Sequence, residues 1–520
     1  MLTRERSPLA SFARSGLTLS CCLATALAAC GPDVTLPTTT ASSSALTATQ
    51  AQTFLVSFTG GAIPANASAI VAAAGGTIVA RYNNVGIVLV STTAATFPTT
   101  LRADTRVASV GSSKTVSSAI GVVKSKFALH PVPPVRAPGA DPLSNRQWDM
   151  DQIHAPQARA INAGSKSVLV GVLDSGIDIT HPDLAGQVDT AASASCIGGI
   201  VNTDPAVWAN DVIGHGTHVS GNIAGAKNGV GIVGVAPGVK LAGVKLAVDD
   251  VNDPNFGLVF ADAFVCAIDW SIGHNFDLMN ASLTIDPFTA PIDDIFCSDE
   301  PDREAIVTMV RQAVGAASKK NITLVASMGN FFLDLASLKG TTPGSTCRVL
   351  PAQLPRVIGV SSVGYTQQLA FYADYGKGAV DLAGPGGDSN IPDPLVTDTT
   401  ASGQVLSSVP PNSLYYQLAA EWNGQVQDCS SGTCSTYAYL QGTSQAAPHV
   451  TGVAALAISR YGRMPPELLL ALLSLTAHPL ACPPSPYDPG MTGMPATCTG
   501  TKFYNNFYGA GEVDALAVAR

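Results

Sequence analysis

Continuous apolar runs recur through the second part of the chain: Val168–Leu173, Leu241–Leu246, Leu278–Leu283, Ile322–Ala326 and Val357–Val360. Between them lie stretches with helical spacing, among them Ala261–Ile272, Arg303–Lys319 and Ala446–Arg460. Runs that do not alternate predict strands buried on both faces, so residues 145–520 read as an α/β domain: a parallel sheet between two layers of helices. The chain ahead of this domain is patterned differently. Phe54–Phe58, Thr77–Arg81, Val85–Val90 and Val107–Val110 read as strands, with helical stretches at Asn66–Ala74 and near 93–103. The order β-α-β-β-α-β predicts a small ferredoxin-like α+β unit over residues 53–116. Residues 117–144, with Pro131, Pro133, Pro134 and Pro138, read as a linker, and the Ser/Thr/Ala-rich residues 30–52 as a disordered tether.

Ligands on parallel sheets bind beyond the carboxyl ends of the strands, which directs the search for chemistry to the polar residues that follow each run. Composition narrows the candidates. Charged residues make up 12% of the 520, with 28 Lys+Arg against 37 Asp+Glu and a net charge of −9. No dense basic surface exists to neutralise phosphates, so a nucleic-acid partner is not expected. Arg4, Arg6 and Arg14 precede a short apolar stretch, Gly16–Ala29, which has the layout of an export signal rather than a span. It ends Leu27-Ala28-Ala29-Cys30, resembling the lipobox of bacterial lipoproteins. That resemblance implies removal of residues 1–29, lipidation of Cys30 and a membrane link through the lipid. Eight further cysteines in an exported chain predict disulfides, with Cys429–Cys434 and Cys482–Cys498 the two short loops that can be named. Zinc at Cys429 and Cys434 is disfavoured, because export would oxidise the thiolates and no second Cys/His pair lies nearby.

Three glycine-flanked segments carry the chemistry. Asp174 follows the first apolar run in Leu173-Asp174-Ser175-Gly176; His215 opens a helix in Gly214-His215-Gly216-Thr217-His218; Ser444 stands at a helix start in Gly442-Thr443-Ser444. A serine hydroxyl needs a base to take its proton, and the base needs an acid to fix its tautomer. With this Asp…His…Ser order the sequence resembles the subtilisin family of serine proteases, whose chain order is a standard example.

The resemblance covers roughly residues 145–520. It implies a serine endopeptidase with Ser444 as nucleophile, His215 as base and then acid, Asp174 as its orienting partner and Asn330, in Ala326-Ser327-Met328-Gly329-Asn330, as oxyanion donor. No cofactor is implied for catalysis. His215 also separates the chain from the sedolisins, which place a glutamate in that role. Protein or peptide substrates would lie along Ser282-Leu283-Thr284 and Ser327-Met328-Gly329. Thr284 stands where the family usually has Gly, which predicts a first specificity pocket that disfavours bulky aromatic residues. Gln445 replaces the family's oxidation-prone methionine beside the nucleophile. The resemblance also implies a structural calcium on Asp183, Asn228 and the backbone of Ala226, Val230 and Ile232, although the ligand the family draws from near its N-terminus has no evident match. Residues 53–116 resemble its inhibitor-type propeptide, which would act in cis as a partner until cleavage within 117–144. Charge fits this division: residues 30–144 carry net +4, and residues 145–520 carry −15. A catalytically silent peptide-binding protein on the same fold is the rival reading. Residues Asp286–Arg303 and Asp388–Tyr437 exceed the family's compact plan.

Overall fold

The computed structural model describes residues 51–113, 117–121, 141–249, 256–285, 301–338, 347–390, 403–490, 493 and 495–520. The signal, Cys30 and nearly all of the tether lie outside the described residues, as do residues 286–300 and most of the stretch 122–144.

The N-terminal unit consists of β1 (Gln52–Phe58), α1 (Ala67–Ala73), β2 (Gly76–Tyr82), β3 (Ile87–Thr92), α2 (Phe97–Arg102) and β4 (Val107–Ser112). Its sheet is antiparallel in the order β4-β1-β3-β2. Phe54, Val56, Val88, Val90 and Phe97 close a core on the helix side. Leu55, Ile87 and Leu89 point the other way, into the core of the large domain, as strand alternation requires.

One departure from the sequence reading follows immediately. Residues assigned to the linker form a strand, β5 (Ser117–Gly121). A short Ser/Ala run has no alternation of its own to announce a strand; here its partner supplies the pairing, as described below.

The large domain begins with the short helices α3 (Trp148–Gln152) and α4 (Ala155–Ile161), then β6 (Leu169–Asp174), β7 (Ala194–Ser195), α5 (Pro205–Trp208), α6 (His215–Ala224) and β8 (Lys240–Lys245). It continues through β9 (Val248–Asp249), β10 (Phe256–Phe260), α7 (Ala261–Gly273), β11 (Leu278–Ala281), α8 (Pro301–Ser318), β12 (Thr323–Ser327), β13 (Val357–Val363) and β14 (Leu382–Pro385). Seven of these strands form one parallel sheet, β14-β13-β12-β11-β6-β8-β7. Successive residues of β6 serve both faces. Val170 and Val172 pack with Val219 and Ile223 of α6 and with Val450 and Val453, whereas Leu173 packs toward Phe264, Ile268, Met309 and Val310 of α7 and α8. The result is the subtilisin-like three-layer architecture.

The remaining elements are β15 (Val405–Ser408), α9 (Leu414–Ala419), β16 (Gln425–Asp428), β17 (Ser435–Leu440), α10 (Thr443–Tyr461), α11 (Pro466–Thr476), β18 (Gly500–Thr501), β19 (Tyr504–Asn505) and α12 (Ala515–Ala519). Strands β15, β17 and β16 make a separate antiparallel sheet. Disulfides join Cys429 to Cys434 and Cys482 to Cys498, the two pairs the spacing singled out, and also Cys196 to Cys266. Among the described residues no helix is long and apolar enough to cross a membrane.

The N-terminal unit rests on α7 and α8. Tyr82 donates its hydroxyl hydrogen to Gly199 O (2.7 Å), Asn84 N–H donates to Asp269 Oδ1 (2.7 Å), Gln312 Nε2 donates to Val85 O (2.7 Å), and Arg102 pairs with Asp302. Beyond it, β5 pairs antiparallel with β10, which pairs on its other edge with β9. Gly257 of β10 lies against Ile213, two residues before His215; a Cβ there would stand 2.5 Å from the Ile213 Cδ1 atom.

Candidate active site

Asp174 is the last residue of β6, His215 the first of α6 and Ser444 the second of α10, so all three stand at carboxyl ends of strands or amino ends of helices. His215 Nδ1 donates to Asp174 Oδ1 at 2.7 Å, and Ser175 N–H donates to the same oxygen at 2.7 Å. A carboxylate here only accepts, so the imidazole proton sits on Nδ1 and Nε2 is left as the basic nitrogen. His215 Nε2 is buried and has no hydrogen-bond partner. Ser444 donates instead to Ser282 O (3.1 Å), and Ser282 Oγ donates back to Ser444 O (2.8 Å). In unliganded sites the nucleophile–base bond commonly closes only when substrate docks.

Gly214 allows His215 its position. Its φ is +91°, and a Cβ would approach Ser413 Oγ to 2.6 Å, so both backbone and space demand glycine. Asp211, which the sequence reading passed over, braces the two segments together. Its Oδ1 accepts from Ser175 Oγ and Gly214 N (2.8 Å each), and its Oδ2 accepts from Thr217 N (2.9 Å) and Thr217 Oγ1 (2.6 Å). Burial pushes its carboxyl up, opposed by these four hydrogen bonds. The Asp211…Gly214-His215 spacing was the available signal.

Tyr415 was likewise not anticipated. Leu414 and Tyr415 N–H donate to Val212 O (2.9 Å) and Ile213 O (3.0 Å), and the Tyr415 ring meets the His215 ring at 5.6 Å between centroids with planes 89° apart. It belongs to the long segment Asp388–Tyr437 that the sequence marked as additional.

Asn330 lies just beyond β12. Its Oδ1 accepts from Thr443 N (2.8 Å) and Thr443 Oγ1 (2.9 Å), which fixes the amide so that Nδ2 is the outward donor, beside the residue preceding the nucleophile. The substrate-side residues separate into two kinds. Ser282, Leu283, Thr284, Ser327 and Gly329 surround this point in the fold, but the Met328 side chain does not line the cleft: it is wholly buried, with its Sδ 2.8 Å from where a Cβ on Gly359 would be. His181, His218 and His449 are held by structural contacts. His181 Nε2 bonds to Thr436 O (3.0 Å), His218 Nε2 to Ala438 O (3.1 Å), and His449 spans Gln445 O (2.7 Å) and Asp149 Oδ2 (2.9 Å).

The loop Ala226–Ile232 folds around Asp183. Ala226 N–H donates to Asp183 O (2.8 Å) and Ile232 N–H to Asp183 Oδ2 (3.2 Å), while Asp183 Oδ1 is buried without a partner. Burial raises this carboxyl to about 8. Asn228 Oδ1 accepts from Val230 N (2.9 Å) and retains a second lone pair. Two other carboxylates grip the loop's outer amides: Asp141 accepts from Asn228 and Gly229 N–H (3.0 and 3.1 Å), and Asp428 from Gly231 N–H (2.8 Å). An orphaned buried carboxylate oxygen beside this loop fits a hard cation such as calcium. Among the described residues no group of three or more His, Cys, Asp and Glu gathers into a metal cluster, so an ion here would rest mainly on backbone oxygens.

A three-layer parallel sheet with an Asp–His pair, a helix-start serine and a fixed asparagine amide at one end defines the class of the α/β serine hydrolases. More narrowly, residues 165–511 match the subtilase family, and the chain belongs to it. Fervidolysin from Fervidobacterium pennivorans is 30% identical over 340 residues, covering 64% of this chain and 41% of that protein. Subtilisin NAT from Bacillus subtilis subsp. natto is 28% identical over 315 residues, 60% of this chain and 61% of its own. The chain thus spans roughly two to three fifths of the length of these curated relatives. Among solved structures, fervidolysin, described as a keratinolytic enzyme related to subtilisin, superposes with a TM-score of 0.61 at 24% identity, covering 90% of this chain and 61% of that one. The epidermin leader peptide processing serine protease of Staphylococcus aureus gives 0.63 at 18%, covering 90% and 98%.

Proposed function

We propose that this protein is a serine endopeptidase made as a self-inhibited zymogen, exported and held to a bacterial envelope membrane by lipid on Cys30 until processing. The observation that carries the catalytic reading is the Asp174–His215 hydrogen bond of 2.7 Å, at the same end of the sheet as Ser444 and Asn330. Ser444 Oγ attacks the scissile carbonyl while its proton passes to His215 Nε2. The oxyanion is held by Asn330 Nδ2 and backbone N–H at the start of α10. His215 then returns the proton to the leaving amine as the C–N bond breaks, and water, deprotonated by His215, releases the acyl group from Ser444. Asp174 keeps the imidazole oriented and stabilises its charged form.

The zymogen reading is supported by the N-terminal unit's seat on α7 and α8 and by β5. A substrate held by added-strand pairing would use a sheet edge near the site. Strand β5 pairs with one edge of β10, whose Gly257 lies against the Ile213 that leads to His215; this supports a reading in which the chain's own segment takes the place of substrate. The maturation cut then falls shortly after Gly121. Calcium on Asp183, Asn228, Ala226, Val230 and Ile232 would stiffen the loop next to α6. A chelator is expected to lower the melting temperature of wild type but leave Asp183→Asn unchanged.

Labelling by a fluorophosphonate, present in the processed protein and lost in Ser444→Ala, tests the catalytic reading. Correctly processed wild type that resists labelling would sink it in favour of the silent peptide-binding fold. N-terminal sequencing of the active form tests maturation, with a start shortly after residue 121 expected.

A further inference from the structure

The loop that carries Asn330 is strapped down by a buried acid that the mechanism above leaves unused. Asp374 Oδ1 accepts N–H from Phe331 (3.0 Å) and Leu333 (2.9 Å), and Asp374 N–H donates to Gly329 O (3.1 Å). The strap continues on both sides, with Phe332 N–H donating to Tyr372 O (2.8 Å) and Tyr375 N–H to Leu333 O (2.9 Å). Asn330 is thus bracketed by residues whose backbone is bound to Asp374. The carboxyl is fully buried, and Oδ2 has no hydrogen-bond partner. That oxygen lies 2.3 Å from where a Cβ on Gly329 would stand, and Gly329 has φ +114°. Glycine is required there by backbone and by space. The orphan oxygen therefore fills the space beside Gly329 that a side chain would take, next to the peptide leading into Asn330.

We propose that Asp374 is a positioning residue for the oxyanion hole: it fixes the 329–333 loop and so the Asn330 amide, and it supports the transition state only as the neutral acid. The proposal rests on the serine-peptidase reading. In the reaction a full negative charge develops where Asn330 Nδ2 points. A carboxylate fixed behind the same peptide, in a dry surrounding, opposes that charge, whereas a neutral carboxyl does not.

Burial pushes Asp374 up to about 7, against its two amide hydrogen bonds. The titratable neighbours are Tyr375 on its own segment and Asp334 on the strapped loop, while β13 contributes the Ser361 hydroxyl, which donates to Asp374 O (2.9 Å). The shift itself comes from burial.

The test measures kcat and KM against pH on a peptide substrate with processed wild type, Asp374→Asn and Asp374→Ala, each also titrated with a fluorophosphonate. Wild-type kcat is expected to fall as pH rises through about 7. Asp374→Asn keeps an acceptor for both amides without the charge, so its profile keeps the dependence set by the base His215 but loses that alkaline fall. Asp374→Ala loses the strap, and kcat drops by about 10- to 100-fold at every pH with KM little changed, because the donor acts mainly in the transition state. An alkaline fall that persists in Asp374→Asn overturns the proposal, as does an Asp374→Ala loss confined to KM. If Asp374→Ala fails to fold, the Asp374→Asn profile decides alone. Wild type that neither labels nor hydrolyses peptide refutes the peptidase reading and the proposal with it; labelled wild type with an unchanged Asp374→Asn profile refutes the proposal only.

Discussion

Asn330 and Thr284 are the positions where a single side chain has a calculable consequence. The two bonds from Thr443 hold the Asn330 carbonyl oxygen, so truncation removes both an anchor and the outward N–H pair. Asn330→Ala should lower kcat by about 10²- to 10³-fold with KM little changed, a magnitude measured for subtilisin itself, and steady-state kinetics on the processed enzyme would show it. Thr284 is only 7% exposed, so its methyl and hydroxyl take up room rather than reach into solvent. Profiling with a peptide library should return small residues at P1; a dominant preference for Phe or Tyr would contradict this. The triad and Asn330 were legible in the sequence because each sits in a short glycine-flanked segment whose residue types have few other uses together. Asp211, Asp374 and Tyr415 were not. The two acids act on backbone amides, and the ring packs on a histidine 200 positions away in the chain, so no local pattern marks any of the three.

Among the elements, five of the seven parallel strands were legible from their unbroken apolar runs, within a residue or two at most ends, whereas the short β7 and β14 were not read. Of the elements not read, β5 and α9 were hidden for physical reasons. Strand β5 has no apolar alternation because its pairing comes from the edge of β10, more than 130 residues later. Helix α9 is six residues long and is held by Ser413, whose side chain accepts from Tyr416 N, and by backbone bonds to Val212 and Ile213 rather than by an amphipathic pattern. Its attachment has a catalytic consequence. With the Tyr415 ring removed, water and side-chain motion gain access to one side of His215, so Tyr415→Ala should reduce kcat by roughly tenfold, while Tyr415→Phe, which keeps the ring, should stay near wild type.

Over the whole molecule, the buried ionisable groups oppose one another. Asp374 and Glu512 are raised to about 7 and Asp381 to about 6 by burial, so each favours the folded state at low pH and withdraws that support as pH rises toward its folded value. His218, lowered by burial to about 3, and His181, lowered in the same direction, do the reverse: the unfolded chain takes up their protons below about 6.5, so they add stability as pH rises to that point. With Asp183 raised in the same way, the carboxyls outnumber the two histidines, so denaturant melts in the presence of a chelator should show stability falling as pH rises from about 5 toward 7. A steep gain in stability over that interval would show that the histidines dominate.

The placement of β5 against β10 also governs how latency would end. On the zymogen reading, while the N-terminal unit and the catalytic domain share one chain, the blocking strand would be present at an effective concentration fixed by the 117–144 linker and independent of dilution. Once the peptide bond after β5 is cut, the same contact becomes bimolecular, and its occupancy depends on how much free N-terminal unit remains nearby. Release of the catalytic domain from a lipid-held fragment would then act as a dilution step in its own right. The lag before activity in freshly processed samples should shorten as total protein is lowered, with no further cleavage required.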